Sequence, residues 1–244
     1  MNFCLPNYVT TLNKGSATSA VISKKRTCGA LVTRWKGFDG RVSSQTFSVG
    51  PNSKHRIFTR VVILSVYAPT GNHSDRSDFF VKLAILVINL RKQKKLVILT
   101  GDLNLAPAEI DRSSKTDRNN ERAIFATFIT ATGLIDAFRE KHPKLEAASF
   151  SRNASTSRID HILVDPALEH AIISAKILLH KSYTASDQGD HRMTIVNFNK
   201  SMIFGKAPPP PNDPDPKPPP LNSPTLTRQP GQKNSASSPP NFSQ

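Results

Sequence analysis

Leu99-Thr100-Gly101-Asp102-Leu103-Asn104 decides how this chain is read. It closes the apolar run Leu96-Val-Ile-Leu99, which predicts a buried strand. Gly101 lets the backbone turn, and Asp102 and Asn104 follow at i, i+2. On an extended backbone that spacing sends both side chains to one side. A carboxylate and a carboxamide projecting together from a strand end can hold a water and a phosphate oxygen. An Asp after a strand also serves as a turn residue or helix cap.

Three other stretches bear on that choice. Val61 to Pro69 is a second apolar strand, ended by a Pro that cannot extend the ladder. Tyr67 lies at its end, where it reads either as a half-buried aromatic or as a hydroxyl at the strand mouth. Ser157-Arg158-Ile159-Asp160-His161-Ile162-Leu163-Val164 carries Arg-x-Asp into an otherwise apolar strand. Asp160 shares a face with Ile162, and His161 faces the other way, as a packing residue. A carboxylate there costs free energy unless it is paired or hydrogen-bonded. Ser186-Asp187-Gln188-Gly189-Asp190-His191-Arg192 runs into the strand Met193 to Phe198. Asp190-His191 offers a metal or phosphate contact and a titratable imidazole.

In this order the four motifs resemble the endonuclease/exonuclease/phosphatase superfamily. They are similar in particular to its apurinic-endonuclease-like branch and to the endonuclease domains of non-LTR (LINE-type) retrotransposons. Gly133-Leu-Ile-Asp136-Ala-Phe138 matches a weaker signature. The resemblance covers roughly residues 28 to 198 and implies a four-layer α/β sandwich, two packed mixed sheets flanked by helices. It implies Mg²⁺-assisted hydrolysis of DNA phosphodiester bonds. Asp102 would orient and deprotonate the water, and Asn104 would hydrogen-bond the phosphate. Asp190 would sit at the metal, with Asp102 as a further ligand. His191, held by Asp160, and Tyr67 would contact the phosphate, with Ser186 and Arg158 as further substrate contacts. Hard oxygen ligands favour Mg²⁺ or Mn²⁺ over zinc.

Two departures qualify the resemblance. The family also uses an Asn at the end of its first strand and a metal-ligating Glu at the end of its second. The first Glu here is Glu109, beyond the Asp102/Asn104 motif. The expectation is a domain truncated before residue 28, lacking strand–helix–strand, with an uncovered sheet edge and marginal stability unless residues 1–27 or a partner cover it. The second departure separates Ser186 from the Asp-His pair, so the hydroxyl contact is displaced.

Composition narrows the class of partner. Net charge is +15, and the first 60 residues carry ten Lys/Arg against one Asp. That field attracts polyanions, DNA foremost, and argues against acidic proteins or neutral small molecules. Cys4 and Cys28 make neither a disulfide framework nor a zinc site, as in a reducing compartment. The first 14 residues lack a signal-peptide core, and no apolar run reaches membrane-spanning length. The expected location is intracellular, nuclear or cytoplasmic, not secreted. The expected division is a poorly defined segment at 1–27, the domain at 28–200 and a tail at 201–244. Thirteen of the 19 prolines follow Ala207, so the end of the chain, from Lys206 above all, reads as a disordered polyproline-rich tail and a candidate docking segment.

Two further classes compete with a working nuclease. One is a catalytically inactive remnant that binds nucleic acid through charge alone. The other is a phosphatase acting on phospholipid or inositol headgroups.

Overall fold

A computed structural model describes residues 8–12, 20–24, 31–48, 60–113, 119–178 and 190–204. The strands β1 (Tyr8–Leu12) and β2 (Ala20–Lys24) pair antiparallel. β3 (Leu31–Arg34) and β4 (Val42–Ser48) form an antiparallel hairpin. β5 (Arg60–Tyr67) leads through α1 (His73–Lys92) to β6 (Lys95–Asp102). A 3₁₀ turn (Glu109–Asp111) precedes α2 (Asn119–Thr132), β7 (Ile135–Asp136) and α3 (Ala137–Lys141). The hairpin β8 (Phe150–Arg152) and β9 (Ser155–Ser157) leads to β10 (Asp160–Val164). After a second 3₁₀ turn (Pro166–Ala171) come β11 (Ile172–Ile177), β12 (Thr194–Phe198) and α4 (Lys200–Phe204).

The central sheet runs β3-β4-β5-β6-β10-β7. Only β5 and β6 are parallel neighbours in it, because α1 carries the chain back to start β6 beside β5. Alternation divides the core. Val62, Leu64, Val66, Val97, Leu99 and Leu163 face α1 and α2, where they meet Phe80, Leu83, Val87 and Phe128. Val61, Leu96, Ile98 and Val164 face the other way, against Leu168, Ile172 and Ile203, with Val196 and Phe198 packed around them. That second layer contains the antiparallel pair β11–β12. The chain is therefore a mixed α/β fold of packed sheets and helices, as expected.

Several boundaries differ from expectation, each for a physical reason. Phe80, Leu83, Val87 and Leu90 at helical spacing predict a helix over Ser77–Arg91 with Ser77 or Asp75 as cap; α1 instead starts at His73 and is capped by Asn72, whose Oδ1 accepts the Asp75 amide at 2.9 Å. Its first turn is polar and shows no apolar period. β1 and β2 lie within the segment 1–27 and pack against β4 or β5. Part of the segment expected to be undefined is thus ordered against the sheet. The domain reaches Phe204 rather than residue 200, because α4 buries Ile203. Residues from 205 onward, with the proline runs, lie outside the described residues, as do Cys4, Cys28 and Ser186.

Candidate active site

Strand register builds the site. Tyr67 is the Cα partner of Asp102 across β5–β6, and Asp102 is the partner of Asp160 across β6–β10. Neighbouring strands lie about 4.8 Å apart. One row across three strand ends therefore carries a phenol and two carboxylates. By alternation the row belongs to the face turned toward the second layer.

That layer delivers the imidazole. His191 precedes β12 and forms an isolated bridge with Phe150. The Ser151 amide donates to the Asp190 carbonyl at 2.7 Å, and the Arg192 amide to the Ser149 carbonyl at 2.6 Å. The Phe150 ring lies against the imidazole, with centroids 5.0 Å apart. His191 Nδ1 is 2.9 Å from Asp160 Oδ2, and Nε2 is 3.9 Å from Asp102 Oδ2. Asp102, Asp160 and His191 can each offer one ligand atom within 4.8 Å of the others.

Asn104 reaches the rim by a route other than the expected extended strand. β6 ends at Asp102, and Asn104 takes φ +51°. Its amide donates to Asp102 Oδ1 and its Nδ2 to the Ala68 carbonyl, both at 2.8 Å. This is an Asx turn, in which Asp102 is at once turn-former and site carboxylate.

Electrostatics separates the two carboxylates. Burial pushes the Asp102 carboxyl up to about 6; the Asn104 amide opposes this and the Asp160 charge adds to it. The hydrogen bond to Asp160 outweighs desolvation and holds the His191 imidazole above its ordinary value, with the Asp160, Asp102 and Asp190 charges contributing. Both shifts run one way. A group whose folded pKa is raised contributes stability below its unfolded pKa and loses it as pH rises through the folded value. In EDTA, Asp102→Asn should therefore be more stable than the parent at pH 8, by about 1–2 kcal/mol, with the difference vanishing near pH 3.8, the unperturbed carboxyl value. Denaturant melts at the two pH values check this. A variant less stable than its parent at pH 8 would show that Asp102 is not strained by burial.

The donor set fits a hard divalent cation. Two carboxylates suffice for Mg²⁺ or Mn²⁺ when substrate oxygens and waters complete the shell. A cation would also offset the repulsion between the Asp102 and Asp160 carboxylates. Asp160, expected only to orient His191, lies inside the cluster. Asp190, expected as the metal ligand, is exposed and is not one of the three.

Arg158 does not occupy the place expected of a substrate contact. Its side chain is 1% exposed. Nε and Nη2 donate to Asp111 at 2.6 and 3.2 Å, and Nη1 lies 2.8 Å from Asp136 Oδ2. It is a buried hub joining three segments. His161 is buried beside it, as expected of a packing residue, with Nε2 2.9 Å from the Leu105 carbonyl. Tyr67 remains 37% exposed, under the Arg41 guanidinium 5.4 Å from its ring centroid.

Ser149 belongs to none of the sequence motifs. Its Oγ accepts the amides of Ile159 and Asp160 at 3.1 and 2.9 Å, while its carbonyl accepts Arg192. It ties the Asp160 strand to the His191 segment.

Residues 6–188 match the Endonuclease/Exonuclease/phosphatase family, and the chain belongs to it. An exodeoxyribonuclease of Bacillus subtilis (strain 168) is 36% identical over 140 residues, 49% of this chain and 55% of that protein. A DNA-(apurinic or apyrimidinic site) endonuclease of Plasmodium berghei (strain Anka) is 25% identical over 193 residues, 59% of this chain and 35% of that protein. The chain spans about half or less of the length of these curated relatives. A 3'-5' exonuclease from Neisseria meningitidis has a similar structure, with a TM-score of 0.66 at 21% identity over 80% of this chain and 81% of that one. An AP endonuclease from Archaeoglobus fulgidus gives 0.61 at 16% identity over 80% of each chain. At such identities the likeness concerns the fold.

Proposed function

We propose that this chain is a divalent-metal-dependent nuclease that hydrolyses phosphodiester bonds of DNA. The observation that carries the reading is the convergence of Asp102, Asp160 and His191 at one rim. The basic charge and the names of the relatives support DNA as the substrate. The motif resemblance supports an apurinic-endonuclease-like or retrotransposon-type enzyme.

Asp102 and Asp160 would hold the cation, Mg²⁺ or Mn²⁺, with Asp190 as the further carboxylate that the motif resemblance puts at the metal. Bound there, the cation supplies charge neutralisation for the scissile phosphate and a more acidic water. Asp102, with its raised pKa, accepts the proton of the attacking water near neutral pH. Asn104 holds its carboxamide at the rim as a phosphate hydrogen-bond partner. His191, fixed through Nδ1 by Asp160, presents Nε2 to a phosphate oxygen. Tyr67 adds a hydroxyl at the end of the row.

The second reading, a basic nucleic-acid-binding protein without catalysis, needs only the net charge of +15. Nicking of supercoiled plasmid in Mg²⁺ or Mn²⁺ against EDTA decides between them, with His191→Ala beside the parent. Metal-dependent nicking that falls by about 10² or more in His191→Ala is expected. Plasmid retention on a gel with no nicking in either metal would overturn the catalytic reading and leave a binding protein.

A further inference from the structure

Asn104 is a site residue in a backbone conformation that non-glycine residues seldom adopt, with φ +51°. Such a residue persists only where its surroundings over-determine it. Two of its restraints lie within the motif: its amide on Asp102 Oδ1 and its Nδ2 on the Ala68 carbonyl. The third comes from α1. Arg76 Nη2 donates to the Asn104 carbonyl at 2.6 Å.

Arg76 is itself held. Its Nη1 lies 3.3 Å from Glu121 Oε1 on α2, and the other oxygen of Glu121 takes Arg112 Nη2 at 2.7 Å. The three side chains are only 12%, 8% and 14% exposed, so little water competes. Arg76 lies in the opening turns of α1, whose N-terminus Asn72 caps. A rigid helix thus carries a fixed donor to the carbonyl of the one site residue whose backbone is turned. Only a planar, multidentate cation satisfies Glu121 and the carbonyl together.

We infer that Arg76 is a positioning residue for Asn104: its guanidinium locks the turned backbone and so aims the carboxamide at the substrate phosphate. The inference rests on the phosphate role given to Asn104 above. Without the guanidinium, the carbonyl loses its donor and the residue relaxes toward extended backbone, swinging the carboxamide away from Ala68. Glu121 keeps Arg112, so truncating Arg76 leaves no orphaned buried charge, and the variant is expected to fold.

The test is a double-mutant cycle of the parent, Arg76→Met, Asn104→Ala and the double variant. Each is measured for plasmid nicking in Mn²⁺ and for affinity toward a short duplex in EDTA, where no chemistry occurs. Arg76→Met is expected to nick about tenfold slower or worse. The double variant is expected to match Asn104→Ala within about twofold in both measurements, because Arg76 acts through Asn104. Arg76→Lys should recover part of the loss, since its ammonium still reaches the carbonyl; it also takes over the cycle if Arg76→Met does not fold. Losses that multiply would overturn the inference, as would an Arg76→Met protein equal to its parent in both measurements. An Asn104→Ala protein equal to its parent would instead sink the phosphate role of Asn104, and this inference with it.

Discussion

Arg158→Met is expected to lower the stability of the domain by about 3–5 kcal/mol at pH 7. Arg158 and Asp111 are almost fully buried, and the Asp136 side chain is 11% exposed. Methionine fills much of the same volume but supplies no donor. Asp111 keeps Arg139, while Asp136 loses its nearest cation. A cost of that size is a large share of the total stability of an ordinary domain, about 5–15 kcal/mol. The effect depends on pH with a definite sign. Burial opposes ionisation of Asp136, but the His161 hydrogen bond and the Arg158 charge prevail and hold its carboxyl well below the usual range. A depressed folded pKa contributes stability above the unfolded value, 3.8, which is lost as pH falls through the folded one. The gap between parent and variant should therefore be widest at neutral pH and narrow below pH 4. Denaturant melts at pH 7 and pH 3.5 read both numbers. A gap under about 1 kcal/mol at pH 7 would show that the hub is dispensable.

That hub also marks where the sequence stops being legible. The pattern Arg-x-Asp before an apolar strand shows that two charges enter a core and need partners. It cannot show that the partners are Asp111 and Asp136, which lie 47 and 22 positions upstream. The family resemblance puts Arg158 with the substrate contacts, next to an Asp160 that does reach the rim. The row Tyr67–Asp102–Asp160 was legible because each member ends or begins an apolar run, and a sheet brings such ends together. The left-handed turn at Asn104 was not, because i, i+2 spacing fits an extended strand as well as an Asx turn. Ser149 carries no motif at all; its value comes from two amides that the β8–β9 hairpin folds onto its hydroxyl. Periodicity reports burial on a face, and the missing pieces are backbone conformation and long-range pairing.

Backbone conformation is also why Gly101→Ala should be among the most damaging single-methyl changes in the described part of the chain. Gly101 takes φ +140°, and a Cβ there would lie 1.9 Å from the Val66 carbonyl oxygen and 2.9 Å from its carbon. Both are backbone atoms of the neighbouring parallel strand, and Val66 is the register partner of Gly101. No side chain can swing aside to make room. The strands would have to part, yet just beyond this point the Ala68 amide donates to the Asp102 carbonyl at 2.8 Å and Asn104 Nδ2 holds the Ala68 carbonyl. Relief therefore comes at the expense of the bonds that set Tyr67 beside Asp102. The expected loss is about 3 kcal/mol or more, with nicking abolished. Gly133→Ala is the internal control. Gly133 takes φ +65°, but its Cβ would meet only Arg91 Nη1, at 3.3 Å, a side-chain end that needs to give a few tenths of an ångström while keeping the Thr132 carbonyl and Asp165. That change carries the ordinary penalty of a left-handed alanine, about 1–2 kcal/mol, and leaves the Tyr67–Asp102–Asp160 row alone. Thermal melts and plasmid nicking of the two variants side by side separate the effects. If Gly101→Ala matched Gly133→Ala in both, the close approach of β5 and β6 would not be what places the Tyr67–Asp102–Asp160 row.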